Sequence, residues 1–87
     1  SDEKSFRKAG VNRAKAIVFS SENDPDNAIG TLIARKINSR IRILTRLKDE
    51  KVRKKIYIAG ADMAVIPEYL AGIEIGEFIR KNIGGAA

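Results

Sequence analysis

Three short apolar runs, residues 16–19, 41–47 and 63–66, alternate with stretches of helical period, and no other feature constrains the fold as much. The first run is apolar at every position, the pattern of a strand covered on both faces. The second is rich in isoleucine and threonine, and the third is stopped by Pro67. Asp24 followed by Pro25 reads as a helix start, with the aspartate as cap and the proline in the first turn. Ala28, Ile29, Leu32, Ile33 and Ile37 then recur on one helical face, and Asn38 is the stop. Asp49 caps a further helix with Val52, Ile56 and Ala59 at helical spacing, ended by Gly60. Residues 5–9 read as the end of a helix closed by a left-handed Gly10, and residues 69–83 as a last helix. Strands alternating with helices require crossover connections, which are right-handed and give a parallel sheet. The fold class is α/β.

Composition narrows the possible functions. With 44% apolar and 32% charged residues among 87, the chain is globular rather than disordered. No apolar run approaches the roughly 18 residues that span a membrane, and no signal peptide is visible. Cysteine and histidine are both absent, which excludes disulfides, thiolate metal sites and catalysis through a thiol or imidazole within these residues. A cytoplasmic setting fits. The net charge of +6 comes from cations spread over every element, without interleaved aromatics for base stacking. Solvated surfaces account for it, and nucleic acid is not expected as a partner.

Three parallel strands make a thin sheet. In chain order, the first would leave an apolar edge unpaired, which natural sheets avoid. A preceding β-α-β-α-β half is therefore expected outside these residues, in the same protein or on a second chain. The segments Ala9-Gly10-Val11 with Ala14-Lys15-Ala16, Asp24 to Asn27, Leu32-Ile33-Ala34-Arg35, Ile41-Arg42-Ile43, Ala59-Gly60-Ala61-Asp62 and Val65-Ile66-Pro67 fall in order along nearly the whole chain. Together they resemble the second half of an RCK (TrkA-N) domain, the Rossmann-type module that regulates potassium channels and Trk- or Ktr-type uptake systems. The resemblance implies a three-layer, doubly wound domain of which residues 1–87 are the distal part, ending in a crossover helix. The glycine-rich phosphate turn and the ribose-binding acid of such domains are not in this sequence. The intact domain is expected to take NAD(H) or ATP/ADP, and these residues alone no cofactor.

Doubly wound sheets hold ligands beyond the carboxyl ends of their strands. Ser20 to Asn27 leaves the first strand at that position. Ser20 and Ser21 offer hydroxyls and Asn27 an amide. On the residues alone, ligand contact and fastening of the loop both remain open for these three, while Asp24 reads as the helix cap and Asp26 as a partner of the helix dipole. In the family this loop borders the bound nucleotide. Glu68, in Ile66-Pro67-Glu68, is either a first-turn glutamate favoured by the dipole or, as in Ktr-type relatives, a group that approaches phosphates and a divalent ion across a dimer. Arg46 and Lys48 stand where some channel domains place calcium-binding acids, and two cations cannot ligate a hard metal. No metal site is expected here.

The last helix carries Leu70, Ile73, Ile75, Phe78, Ile79 and Ile83, with Gly72 and Gly76 four apart, more apolar circumference than one sheet contact uses. The resemblance makes Leu70, Ile73, Phe78, Ile79 and Ile83 a surface for a partner subunit, in a dimer or higher homo-oligomer. It implies a non-enzymatic regulatory domain at the inner face of the membrane, coupled to a potassium channel or transporter subunit. Two rival readings are the distal half of an NAD-dependent dehydrogenase and a dimerisation module without a ligand. Against the first stands the lack of a histidine, a cysteine or a lysine–tyrosine acid/base pair.

Overall fold

The computed structural model describes residues 2–83. They form α1 (Asp2–Lys8), β1 (Ala16–Phe19), α2 (Asp24–Ile37), β2 (Arg42–Arg46), α3 (Arg53–Ala59), β3 (Met63–Val65) and α4 (Pro67–Asn82), with 3-10 turns at Val11–Arg13 and Glu50–Val52. The sheet is parallel throughout, in the order β1-β2-β3, so the Rossmann-like α/β reading holds and β1 lies at an edge. Gly10 has the left-handed φ of 93° expected of it.

Strand β1 matches its apolar run, whereas β2 and β3 are shorter than theirs. Ile41, Leu47 and Ile66 lie just outside the strand bounds yet are buried, because side-chain packing continues past the strand ends. Helix α4 begins at Pro67, two residues before the expected start. Proline suits a first turn, where its fixed φ is already helical and no N–H is needed.

One expectation is corrected. Strand β1 is not covered on both faces: Ile17 and Phe19 are half-buried while Ala16 and Val18 are exposed, Val18 to 60%. The reason is the placement of the helices. Buried residues on β2 alternate as Ile43 and Thr45, facing Ala34 and Thr31 of α2 and Ile56 of α3. The opposite face brings Val18, Leu44 and Met63 into register across the sheet, and no described helix covers it; Met63 is 52% exposed. Each large aliphatic side chain buried on the covered face contributes about 1.5–3 kcal/mol. A buried hydroxyl pair, Thr31 Oγ1 to Thr45 Oγ1 at 2.7 Å, adds direction to this contact, and Thr31 also donates to the Asn27 carbonyl at 2.7 Å.

At the amino end of the sheet, Arg35 ties the layers together. Its Nε and Nη2 donate to Gly60 O at 3.1 and 3.0 Å, and its Nη1 to Asn38 O and Ser39 O at 3.2 and 3.0 Å. Nη2 also meets Asp62 Oδ2 at 3.0 Å. That oxygen accepts the Ile43 N–H at 2.8 Å, so one carboxylate joins β2, α2 and the turn before β3. Asn38 donates to the carbonyls of Val11 and Ala14 at 2.9 and 3.0 Å and holds the approach to β1. Gly60 is required twice over. Its φ is 123°, and a Cβ there would lie 2.7 Å from Arg35 Cγ.

Two outcomes follow from this end of the molecule. Gly60→Ala is expected to cost more than about 1 kcal/mol, read as a fall in melting temperature of about 4–8 °C, and an unchanged melt would refute the role given to that turn. The Ile43 amide hydrogen bond holds the Asp62 carboxyl below its ordinary value; partial burial opposes this, and the charges of Arg35 and Arg42 reinforce it. A depressed folded value means that Asp62 stabilises the protein above the ordinary aspartate pKa of about 3.9, and that this is lost as pH falls through the lower folded value. Asp62→Asn should therefore lower stability by about 1 kcal/mol at pH 7, a small figure because the side chain is partly exposed. The gap between the two proteins in a pH series of melts should close in acid below about pH 4. A gap that stays constant to pH 2 would show that the charge is irrelevant.

Candidate functional site

The carboxyl ends of all three strands open on the same side, and the segment after β1 is the most elaborately fastened part of it. Asn27, 2% exposed, is the fastener. Its Oδ1 accepts from the Ser21 hydroxyl at 2.9 Å and the Ser21 N–H at 3.3 Å. Its Nδ2 donates to Ser21 O at 2.9 Å and to Arg46 O at 3.0 Å. A primary amide has two donors and one acceptor oxygen, and here all of them work within the chain. Asn27 thus joins the loop after β1 to the end of β2.

The cap of α2 differs from the expectation. Asn23, not Asp24, occupies that position, its Oδ1 accepting the Asp26 N–H at 2.9 Å. Asp24 is thereby turned toward the segment after β2, where its carboxylate accepts Lys48 N–H at 3.0 Å and Asp49 N–H at 3.1 Å. The capping role sits one residue earlier, and the freed aspartate buttresses the neighbouring turn. Asp49 caps the next helical segment as expected, accepting the Lys51 N–H at 2.9 Å.

Ser20 and Ser21 are exposed at the rim. Arg46 reaches over from β2, its Nη1 donating to Ser20 O at 3.4 Å, while its Nε is buried without a hydrogen-bond partner among the described residues. Lys48 is paired with Glu22, Nζ to Oε1 at 3.6 Å. A concavity of about 500 Å³ runs beside the loop, lined by Phe6, Phe19, Ser21, Asp26, Asn27 and Ile33 among others, with the rings of Phe6 and Phe19 stacked at 6.0 Å. It combines an apolar floor with hydroxyl and carboxylate groups at one end.

Ser20, Ser21, Asn27 and Arg46 are brought together; Glu68 is not. It lies in the first turn of α4, exposed, beyond the far strand of the sheet, and makes no hydrogen bond or ion pair with the described residues. The apolar residues Leu70, Ile73, Phe78, Ile79 and Ile83 are all exposed, and every residue of α4 after Pro67 is open to solvent. Among the described residues, no side chain lies within 4 Å of where a Cβ on Gly72 or Gly76 would stand. The role of Arg46 at the loop was only partly legible in sequence. A cation at the end of a strand signals little until the neighbouring strand is known.

No described helix is long and apolar enough to cross a membrane. The TrkA-N domain model matches residues 1–67. The chain is 32% identical over 82 residues to "Probable potassium channel protein 2" of Methanocaldococcus jannaschii, covering 93% of this chain and 24% of that protein. The chain therefore spans about a quarter of this relative's length. Among solved structures, the GsuK RCK domain aligns with a TM-score of 0.79 and 28% identity over 97% of this chain and 19% of that one. GsuK structures bound to NAD and to ADP align with TM-scores of 0.78 and 0.76, each at 31% identity, over 88% and 90% of this chain and 14% and 21% of theirs. A parallel α/β sheet, a fastened loop at its carboxyl edge and these matches lead to one conclusion: the chain belongs to the TrkA-N domain family.

Proposed function

We propose that this chain is the distal part of a ligand-sensing regulatory domain that controls a potassium channel or transporter, and that Ser20 to Asn27 form one wall of its nucleotide crevice. The observation that carries the reading is the Asn27 network. A buried amide fixes the backbone of an exposed polar loop at the place where parallel α/β sheets receive ligands. Ser20 presents its hydroxyl to a ribose or base edge, Ser21, whose hydroxyl proton goes to Asn27 Oδ1, offers only its remaining lone pair, and Asn27 acts through the loop it shapes. The two carboxylates of Asp24 and Asp26 disfavour a phosphate beside them. A glycine-rich half, supplied elsewhere in the protein or by a second chain, pairs with β1 and holds the phosphates. The ligand bound to GsuK supports a nicotinamide dinucleotide or an adenine nucleotide as the class. Glu68 would meet such a ligand only from a neighbouring subunit, since nothing in its own chain directs it to the Ser20 loop.

The domain works by coupling rather than catalysis. Ligand that favours one arrangement of paired domains shifts the population toward it, and the shift is passed to a membrane subunit from the cytoplasmic side. The pairing surface is α4, through Leu70, Ile73, Phe78, Ile79 and Ile83, whose exposure in this chain supports a partner.

Calorimetric titration of the full-length protein with NADH, ATP and ADP tests the site. Binding without turnover is expected, and Ser20→Ala with Ser21→Ala should weaken it about tenfold, roughly 1.4 kcal/mol. Unchanged affinity in that variant would remove the loop from the site, and full affinity in the 87-residue chain alone would overturn the role given to the glycine-rich half. Separately, Phe78→Glu with Ile79→Glu should shift sedimentation toward the monomer by placing charges in an apolar contact. A variant that associates as tightly as the parent protein excludes α4 as the pairing surface.

A further inference from the structure

The two edges of the sheet are treated differently. Along β2, Arg42 N–H donates to Lys15 O at 2.9 Å, so the parallel alternation turns the N–H and C=O of Ala16 and Val18 outward. Neither residue meets a hydrogen-bond partner there among the described residues. At the other edge, Leu47 N–H bonds Val65 O at 2.9 Å, which turns the N–H and C=O of Ala64 outward from β3. Both of those groups are occupied by side chains. Ala64 N–H donates to the Tyr57 hydroxyl at 3.0 Å, and Ala64 O accepts from Arg53 Nη1 at 2.6 Å.

Arg53 and Tyr57 are four residues apart on α3 and so share one face of the helix, lying along the strand edge. Each is itself held. Arg53 Nε donates to Glu50 Oε2 at 2.8 Å, which leaves Nη1 free for the carbonyl, and the Tyr57 hydroxyl contacts Met63 Sδ at 3.7 Å. An unpaired strand edge is a template for further strands, and proteins close it with charged side chains or covering elements. We propose that Arg53 and Tyr57 are a guard on the outer edge of β3, so that the sheet recruits a further strand only along β1. The guard works by substitution: a guanidinium and a phenol fill the donor and acceptor positions that an incoming strand would use. It is independent of any ligand, and it gives the sheet a direction of growth.

The test uses the 87-residue chain and reads the exchange rate of the Ala64 amide hydrogen at increasing protein concentration, beside sedimentation. In the parent chain this amide should be protected to the same degree at all concentrations, even where association through other surfaces occurs. In Arg53→Met with Tyr57→Phe, exchange in dilute solution should rise about tenfold or more. It should then slow again as concentration is raised and β3 edges meet. Tyr57→Phe alone, which deletes one hydroxyl and no packing volume, should show the same rise on dilution and serves if the double variant does not fold. Unchanged dilute exchange in Tyr57→Phe overturns the proposal. So does slowing with concentration in the parent chain, or a folded double variant whose Ala64 amide stays fast at millimolar concentration.

Discussion

The buried amide of Asn27 is the interaction on which the upper half of this structure rests. A polar group taken from water without partners costs about 1–3 kcal/mol, so Asn27 is tolerated only because every hydrogen-bonding position is used. The same bonds decide the path of the chain after β1, since Ser21 is gripped by its hydroxyl, its N–H and its carbonyl. They also fix the spacing between β1 and the end of β2 through Arg46 O. The loop is thus made rigid by α2 beneath it, together with the Ser21–Asn23 contacts within the loop itself. A recognition surface built this way costs little ordering entropy when a ligand arrives.

The opposite end of the sheet uses a charge in a comparable role. Arg35 fills the space beside Gly60 and converges on carbonyls from two turns, and Asp62 balances it while satisfying the Ile43 N–H. Both ends of α2 are therefore polar anchors, while its middle contributes Ala34 and Thr31 to the buried layer. Because anchors and apolar face belong to one helix, loop geometry and sheet stability are coupled through α2. A substitution at Asn27 acts on both, and Ser21 shares in this through its hydroxyl bond to Asn27 Oδ1, so Ser20 is the cleaner reporter of ligand contact.

Element order, parallel pairing and the edge position of β1 were legible in the sequence, because apolar runs and helical spacing record burial directly. What was not legible depends on neighbours in space. The apolar run of residues 16–19 reads the same whether one face or two are covered, and only the one-sided placement of α2 and α3 shows that Val18 is exposed. The cap of α2 was displaced by one residue because Asn23 and Asp24 are both good caps. The choice between them is made by Lys48 N–H and Asp49 N–H, which lie more than twenty positions away and claim the aspartate. The loop residues Ser20, Ser21 and Asn27 could be singled out by position, but the division of labour among them appears only with the hydrogen bonds.

Helix α4 follows β3 with a single residue, Ile66, between them, and Ile66 is buried in the core. Its sixteen residues amount to a rod of about 24 Å at 1.5 Å per residue, fixed at one end and free along its length. A rod anchored in this way is a lever. A tilt of about 10° at Pro67 carries the far end through roughly 4 Å, about the spacing between neighbouring strands. Small rearrangements near the carboxyl edge of the sheet would therefore reach the tip of α4 as displacements of several ångströms, with the proline as fulcrum.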